Sequence, residues 1–202
     1  MEISKYTLFK LALSGAMVML AIVCALLRRT PYVWFVLIGM VLGFAGDLCL
    51  AKLPWVVRSL KDPFLTGMGA FALGHVCYIV AFCATLRAGG GGVVWWVAFV
   101  ELAFALIIWV LVKRAMPPGQ GLMAGLLLIY VLLITAMASL GASLSLSSGV
   151  MLPLMGGMLF LVSDSLIALN DFGRVLIPRA DTWIWATYVP AQLCVVAAGF
   201  WV

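Results

Sequence analysis

The stretch GGMLFLVSDSLIALNDF, residues 156–172, has the composition of a membrane-spanning helix, yet Asp164 lies in its middle. A second apolar run, VLIGMVLGFAGDLCLA at residues 36–51, contains Asp47 in the same way. An aspartate at the centre of a membrane span costs about 3 kcal/mol on insertion scales, and such residues usually face a cavity and mark a functional path. We therefore expect both carboxyl groups to point into the protein rather than into lipid.

The composition predicts an integral membrane protein. The chain has 202 residues, of which 66% are hydrophobic and 9% are charged, whereas a soluble domain is about half apolar and about a quarter charged. A chain of this size cannot bury so much apolar surface within itself, so the lipid bilayer is its expected partner. The net charge of +5 is then explained by the loops of a membrane protein, and we expect no nucleic-acid binding.

Runs of about 20 apolar residues mark membrane-spanning helices, and the sequence contains seven. The fold class is therefore predicted to be all-α, a polytopic transmembrane helix bundle that forms one domain over residues 1–202. The first run is too long for a signal peptide and lacks a small-residue cleavage site, so we interpret it as a span. The predicted spans are 7–27, 32–51, 64–86, 93–112, 119–140, 149–169 and 183–201.

Positive charges predict the orientation of these spans, since cytoplasmic loops carry the excess of lysine and arginine. Of the 12 such residues, nine fall on the side of the N-terminus and three on the other. The protein is therefore expected in the cell membrane with its N-terminus in the cytoplasm and its C-terminus on the opposite side. The nine are Lys5, Lys10, Lys52, Arg58, Lys61, Lys113, Arg114, Arg174 and Arg179, and the three are Arg28, Arg29 and Arg87.

The two aspartates lie at similar depth. Asp47 is about 7 Å and Asp164 about 9 Å from the cytoplasmic ends of their spans, at 1.5 Å per helical residue. Other polar side chains fall at compatible depths and predict a polar pocket that opens to the cytoplasm and narrows towards the midplane. These are Lys10, His75, Tyr78, Ser163, Tyr188 and Gln192.

Each of these residues also has a purely structural interpretation. Asp47 and Asp164 could form a structural pair bridged by Lys10, and the histidine, the tyrosines and the glutamine could serve helix packing through interhelical contacts. Glu101 lies near the midplane of the fourth span and has no polar companion on its own helix. The single histidine and five cysteines without a C-x-x-C pair predict neither a metal site nor another cofactor, since zinc needs three or four ligands.

Residues spaced by four lie on one face of a helix, and this spacing links small residues to the polar ones. Gly156, Phe160 and Asp164 follow it in one span, and Gly67, Phe71 and His75 follow it in another. Small residues allow neighbouring helices to approach closely. The polar side chain of each set is therefore expected to face a neighbouring helix.

The chain resembles the lysoplasmalogenase (YhhN-like) family of integral membrane proteins. The matching elements are Gly46-Asp47, GMGAFALGHVCY at residues 67–78, the stretch at 156–172 and ATYVPAQLCV at 186–195. Lys10 fits a lysine that the family carries near the start of an early helix. Family members commonly have eight spans where seven are predicted here, and the proline that usually follows the lysine is missing from FKLALSG, residues 9–15.

The resemblance implies hydrolysis of the vinyl ether bond of a lysophospholipid, the lysoplasmalogen, with Asp47 and Asp164 as catalytic residues and no cofactor. This chemistry suits the residues, because it needs one acid that stays protonated at neutral pH and one carboxylate that activates water. A proton- or cation-coupled transporter and a non-catalytic membrane scaffold remain the alternatives. The expected substrate-binding residues are Lys10, His75, Tyr78, Ser163, Asn170, Tyr188 and Gln192.

Overall fold

The computed structural model describes residues 4–51 and 53–202, and within these ranges the chain is helical and has no strand. The prediction of an all-α bundle is confirmed. The helices are α1 (Lys5–Arg28), α2 (Pro31–Leu50), α3 (Pro54–Ser59), α4 (Pro63–Ala88), α5 (Trp95–Ala115), α6 (Gly121–Ser148), α7 (Leu152–Asp171) and α8 (Ala180–Ala198). Proline opens α2, α3 and α4, where its missing N–H would have no partner within the helix.

Six of the described helices are long and apolar enough to cross a membrane, namely α1, α2, α4, α5, α6 and α7. They correspond to the first six predicted spans. The seventh, at 183–201, corresponds to α8, which does not reach the same hydropathy and carries Asp181, Pro190 and Gln192 within 19 residues. The two termini lie on opposite sides of the membrane only if the number of spans is odd. The orientation inferred from the positive charges therefore stays a prediction.

The long helices close into a ring. Contacts run from α1 to α2, α2 to α4, α4 to α6, α6 to α7, α7 to α8 and α8 back to α1. Helix α5 packs against α6 and α7. On the outside of α5 and α6, Trp95, Phe99, Leu122 and Ile129 are largely exposed, as expected of side chains that face lipid.

Helix α6 is longer than the sequence predicted. The segment SLSLSSG at residues 143–149 was expected to be a connection, but α6 continues through Ser148. Ser143 donates its hydroxyl to the carbonyl of Ser139, and Ser148 donates to that of Leu144, so these polar side chains are satisfied by the helix itself. The helix ends where Gly149 adopts a φ of 76°, the left-handed conformation that glycine favours.

The predicted connection between the second and third spans also contains an element that the sequence did not indicate. The short helix α3 forms within it, and Val56 is buried there. Lys52, one of the charges assigned to the cytoplasmic side, lies outside the described residues.

Two consecutive glycines let α7 approach two neighbours at once. A Cβ atom at Gly156 would lie 2.7 Å from Val195 of α8, and one at Gly157 would lie 2.8 Å from the Cα of Ala138 in α6. Neither distance occurs between real Cβ atoms and their neighbours, so the backbones would have to separate. This pair of close contacts fixes the position of α7, and with it the position of Asp164.

Replacing Gly157 by alanine should therefore destabilise the protein. The added methyl group would meet the backbone of α6, and overpacking of this kind costs about 1–3 kcal/mol. The midpoint of thermal unfolding in detergent measures the effect. Gly125→Ala in α6 is the matched control, because nothing lies within 4 Å of a Cβ atom at that position; equal midpoints for the two variants would contradict the close packing of α7.

Candidate functional site

A cavity of about 450 Å³ lies inside the bundle. All seven long helices contribute to its wall, and most of the lining is apolar. The lining residues come from the N-terminal halves of α1, α4, α6 and α8 and from the C-terminal halves of α2, α5 and α7. The cavity is therefore confined to the half of the bundle that holds the N-terminus of α1, and its volume is within the usual range for small-molecule sites.

Both predicted catalytic aspartates line this cavity. Asp47 reaches it from α2 and Asp164 from α7. Asp47 is buried and the side chain of Asp164 is 16% exposed. The structure thus brings together two carboxyl groups that are 117 positions apart in the sequence, as their numbers 47 and 164 give.

Asp47 is held by hydroxyl groups from two other helices. Ser14 of α1 donates to its Oδ2, and the hydroxyl of Tyr188 in α8 donates to the same oxygen at 2.9 Å. Gln192 supports this arrangement from one turn further along α8, because its Nε2 donates to the Tyr188 oxygen at 2.7 Å. One oxygen of the carboxylate is therefore fixed in place by two donors.

Asp164 has a different set of partners. The hydroxyl of Tyr130 in α6 donates to its Oδ2 at 2.7 Å, and the Nε2 of His75 in α4 lies 3.6 Å from the same atom. The imidazole of His75 is enclosed by the rings of Tyr78, Tyr130 and Phe160, whose centroids are 5.2–5.9 Å away. Aromatic rings thus separate this histidine from solvent and from lipid.

The predicted site residues fall into two groups. The first lines the cavity; it consists of Lys10, Asp47, Ser163, Asp164, Asn170 and Tyr188. The second consists of His75, Tyr78 and Gln192, which lie behind the cavity wall around a much smaller void that Tyr188 also borders. Ser163 directs its hydroxyl to the carbonyl of Ile184 in α8, and Asn170 donates to the neighbouring carboxylate of Asp171.

Charged side chains collect at the mouth of the cavity. Lys10 forms an ion pair with Asp181 at the start of α8, and its ammonium group lies over the rings of Tyr6 and Trp185, at 4.3 and 5.1 Å from their centroids. The structural alternative in which Lys10 bridges Asp47 and Asp164 is not what the structure shows, because Lys10 pairs with Asp181 of α8 instead. Asp171 at the end of α7 also lines this end of the cavity.

Two direct partners of the aspartates, Ser14 and Tyr130, are not among the site residues that the sequence predicts. A signal for Ser14 existed, since it follows Lys10 by four residues and so shares its face of α1. Tyr130 is a tyrosine within the apolar run of α6, but nothing in the sequence indicated which neighbouring helix it meets. Its role depends on the contact between α6 and α7.

Glu101 has its partner on a neighbouring helix. It is buried in α5, and Ser139 of α6 donates a hydrogen bond to its Oε2, while Oε1 has no partner among the described residues. Within the same residues, no three histidine, cysteine or acidic side chains come together as metal ligands do.

The sequence profile of the YhhN family matches residues 6–199, nearly the whole chain. The chain belongs to the YhhN family. This family includes lysoplasmalogenases, and the match covers both helices that carry the cavity aspartates. No curated protein and no solved structure matches the chain.

The contact between Ser139 and Glu101 predicts a stability effect. Ser139→Ala would leave the buried carboxyl group without its partner, which costs about 1–3 kcal/mol. The unfolding midpoint in detergent measures it. Ser147→Ala is the control on the same helix, because that hydroxyl donates to the Leu144 carbonyl of α6 itself and is exposed; an equal loss in both variants would show that the pair contributes nothing.

Proposed function

We propose that the protein hydrolyses the vinyl ether bond of lysoplasmalogens, releasing a fatty aldehyde and glycerophosphoethanolamine or glycerophosphocholine. The observation that carries this proposal is a pair of carboxyl groups from α2 and α7 that face one largely apolar cavity with a charged mouth. Membership of the YhhN family supports it. The substrate has matching parts, since it joins one apolar chain to a charged head group.

The reaction requires only proton transfers and water. One aspartic acid donates its proton to the β-carbon of the vinyl ether, which leaves a carboxylate and a positively charged carbon bonded to the ether oxygen. Water adds to that carbon while the second carboxylate takes its proton, and a hemiacetal results. When the hemiacetal collapses, the first carboxylate takes the hydroxyl proton and the second acid protonates the leaving glycerol oxygen, so both aspartates return to their starting states.

The cavity suits a substrate that enters from one side of the membrane. The alkenyl chain would lie along the apolar walls of α4, α5 and α6, and the phosphate would reach the mouth. There Lys10 would exchange its contact with Asp181 for the phosphate. The amide of Asn170 lies on the same wall and would contact the glycerol, whereas Ser163 is fully buried and would act from behind the wall.

Transport is the alternative function, because intramembrane carboxylates fit either activity. A transporter alternates its access between the two sides of the membrane, so each single state of a transporter also has a cavity in one half of the bundle, as this structure does. Membership of the YhhN family, which includes lysoplasmalogenases, is the observation that favours hydrolysis.

Asp47→Asn and Asp164→Asn should each lower kcat by roughly 10²- to 10⁴-fold, the usual contribution of a general acid or base. The assay follows aldehyde release from a lysoplasmalogen by the purified protein in detergent, with the saturated ether analogue as the substrate that cannot react. Each variant should keep the elution profile and thermal midpoint of the wild type to within a few degrees.

Two outcomes would contradict the proposal. Full activity in both variants would remove the aspartates from the mechanism. Proton-coupled uptake of a solute by proteoliposomes, with no aldehyde formed, would assign the cavity to transport instead.

Lys10→Met should raise KM while changing kcat less, because its ammonium group is proposed to contact the phosphate and not the reacting bond. Loss of a hydrogen bond to a charged group should lower kcat/KM roughly tenfold to a hundredfold. Lys5→Met is the matched control on the same helix, since Lys5 is exposed and does not line the cavity. Equal KM values for the two variants would exclude Lys10 from substrate binding.

A further inference from the structure

A second, much smaller void lies behind the wall of the large cavity. Its volume is about 10 Å³, and it is enclosed by α2, α4, α7 and α8. Three glycines, Gly39, Gly43 and Gly74, leave this space between the helices. The remaining lining residues are Phe71, His75, Tyr78, Phe160, Tyr188 and Gln192.

Two polar atoms of this lining have no hydrogen-bond partner among the described residues. They are Nδ1 of His75 and Oε1 of Gln192. The two residues are 3% and 1% exposed, so neither atom reaches bulk water or the large cavity. Leaving such groups unsatisfied is costly, and buried polar atoms of native proteins nearly always have a partner.

The void has the size and the lining that one water molecule needs. A buried water requires at least about 10–15 Å³ of accessible volume and two to four polar partners. The hydroxyl groups of Tyr78 and Tyr188 belong to residues of the same lining. We propose that this void is a binding site for a single water molecule that bridges Nδ1 of His75 and Oε1 of Gln192.

The orientation of Gln192 limits how this water can bond. Its Nε2 donates to the hydroxyl of Tyr188. Oε1 is therefore the amide atom left for the water, and an amide oxygen can only accept. One hydrogen of the water therefore points to Gln192. Towards His75 the water can either donate its second hydrogen or accept one, so Nδ1 keeps a hydrogen bond whether or not it carries the proton.

This freedom matters because the other imidazole nitrogen faces Asp164. When Asp164 is a carboxylate, the proton of a neutral His75 belongs on Nε2, which lies 3.6 Å from the aspartate Oδ2. When Asp164 is protonated, Nε2 can accept and the proton belongs on Nδ1. The water thus allows His75 to change tautomer as Asp164 gains or loses its proton, without burying an unpaired atom.

The water also completes a continuous series of neighbouring polar groups between the two aspartates. The path runs from Asp164 through His75, the water, Gln192 and Tyr188 to Asp47, on the side of the cavity wall away from the substrate. His75 and Gln192 are then positioning residues, which act through the aspartates and do not touch the substrate. This catalytic role rests on the proposed function, whereas the water site itself does not.

Nuclear magnetic resonance can test the site directly. His75 is the single histidine of the chain, so protein labelled with ¹⁵N-histidine gives the signals of one imidazole. We expect Asp164→Asn, which mimics the protonated acid, to shift the tautomer ratio towards protonated Nδ1. An unchanged ratio would overturn the coupling between His75 and Asp164, even if the protein hydrolyses no lipid.

Gly43→Ala tests the water without removing a polar group. A Cβ atom there would lie 3.5 Å from the Tyr188 hydroxyl and 3.7 Å from Gln192 Nε2, ordinary contact distances, so the methyl group would enter the void and leave too little room for water. We expect the Nδ1 signal to move to that of a nitrogen without a hydrogen bond. We also expect kcat to fall about tenfold with KM unchanged.

Gly69→Ala is the matched control, since nothing lies within 4 Å of a Cβ atom at that exposed position of α4. It should leave both readouts as in the wild type. Unchanged Nδ1 signals in Gly43→Ala would overturn the water site. An altered signal with an unaltered kcat would keep the water and remove its role in turnover, and absence of hydrolysis in the wild type would reject the proposed function alone.

Discussion

Carboxyl groups inside a membrane bundle must find hydrogen-bond donors within the protein, because lipid offers none. The three carboxyl groups within the spans, Asp47, Glu101 and Asp164, meet this requirement through neighbouring helices. Asp47 of α2 is bound by hydroxyl groups of α1 and α8, and Asp164 of α7 and Glu101 of α5 are each bound by a hydroxyl of α6. These bonds restrain the rotation of α2, α5, α6 and α7, since turning any of the four about its axis would leave an acid unpaired.

Helix α7 combines this constraint with close packing. Gly156 and Gly157 bring it against α8 and α6, and Asp164 follows Gly157, the glycine that faces α6, by seven residues, about two helical turns. The same face that allows the approach therefore carries the aspartate towards its partner Tyr130. The short stretch that begins with two glycines thus sets both the architecture of the bundle and the direction of one candidate catalytic group.

Much of the fold could be predicted from the sequence because lipid imposes simple rules on length and composition. The apolar runs located the long helices, and spacing by four indicated that His75 and Asp164 face neighbouring helices. The partners could not be predicted in this way. Tyr130 and Ser14 approach the aspartates only because α6 and α1 pack at a particular height, and Lys10 pairs with Asp181 because the start of α8 lies beside it.

The same limit explains why the sixth helix extends to Ser148 and not only to residue 140, where the predicted span ends. The serines at 143–148 resemble a loop in composition, yet in α6 the hydroxyl groups of Ser143 and Ser148 donate to carbonyls of their own helix, and that of Ser145 accepts from the backbone N–H of Leu154 in α7. Composition alone does not distinguish these two uses of serine. The deciding factor is the packing of α6 against α4 and α7, where Phe82 and Pro153 approach Gly141 closely.

The two groups of polar residues divide the site into a part that meets a ligand and a part that does not. Lys10 and Asn170 lie on the cavity, where a ligand can reach them, whereas His75 and Gln192 are sealed behind aromatic rings. Tyr188 and Phe71 border both spaces, and the two aspartates contact residues of both groups. In the proposed reaction, a proton that an aspartate exchanges with the substrate would therefore change the bonding behind the wall, in an enclosed place that depends on four helices and three glycines.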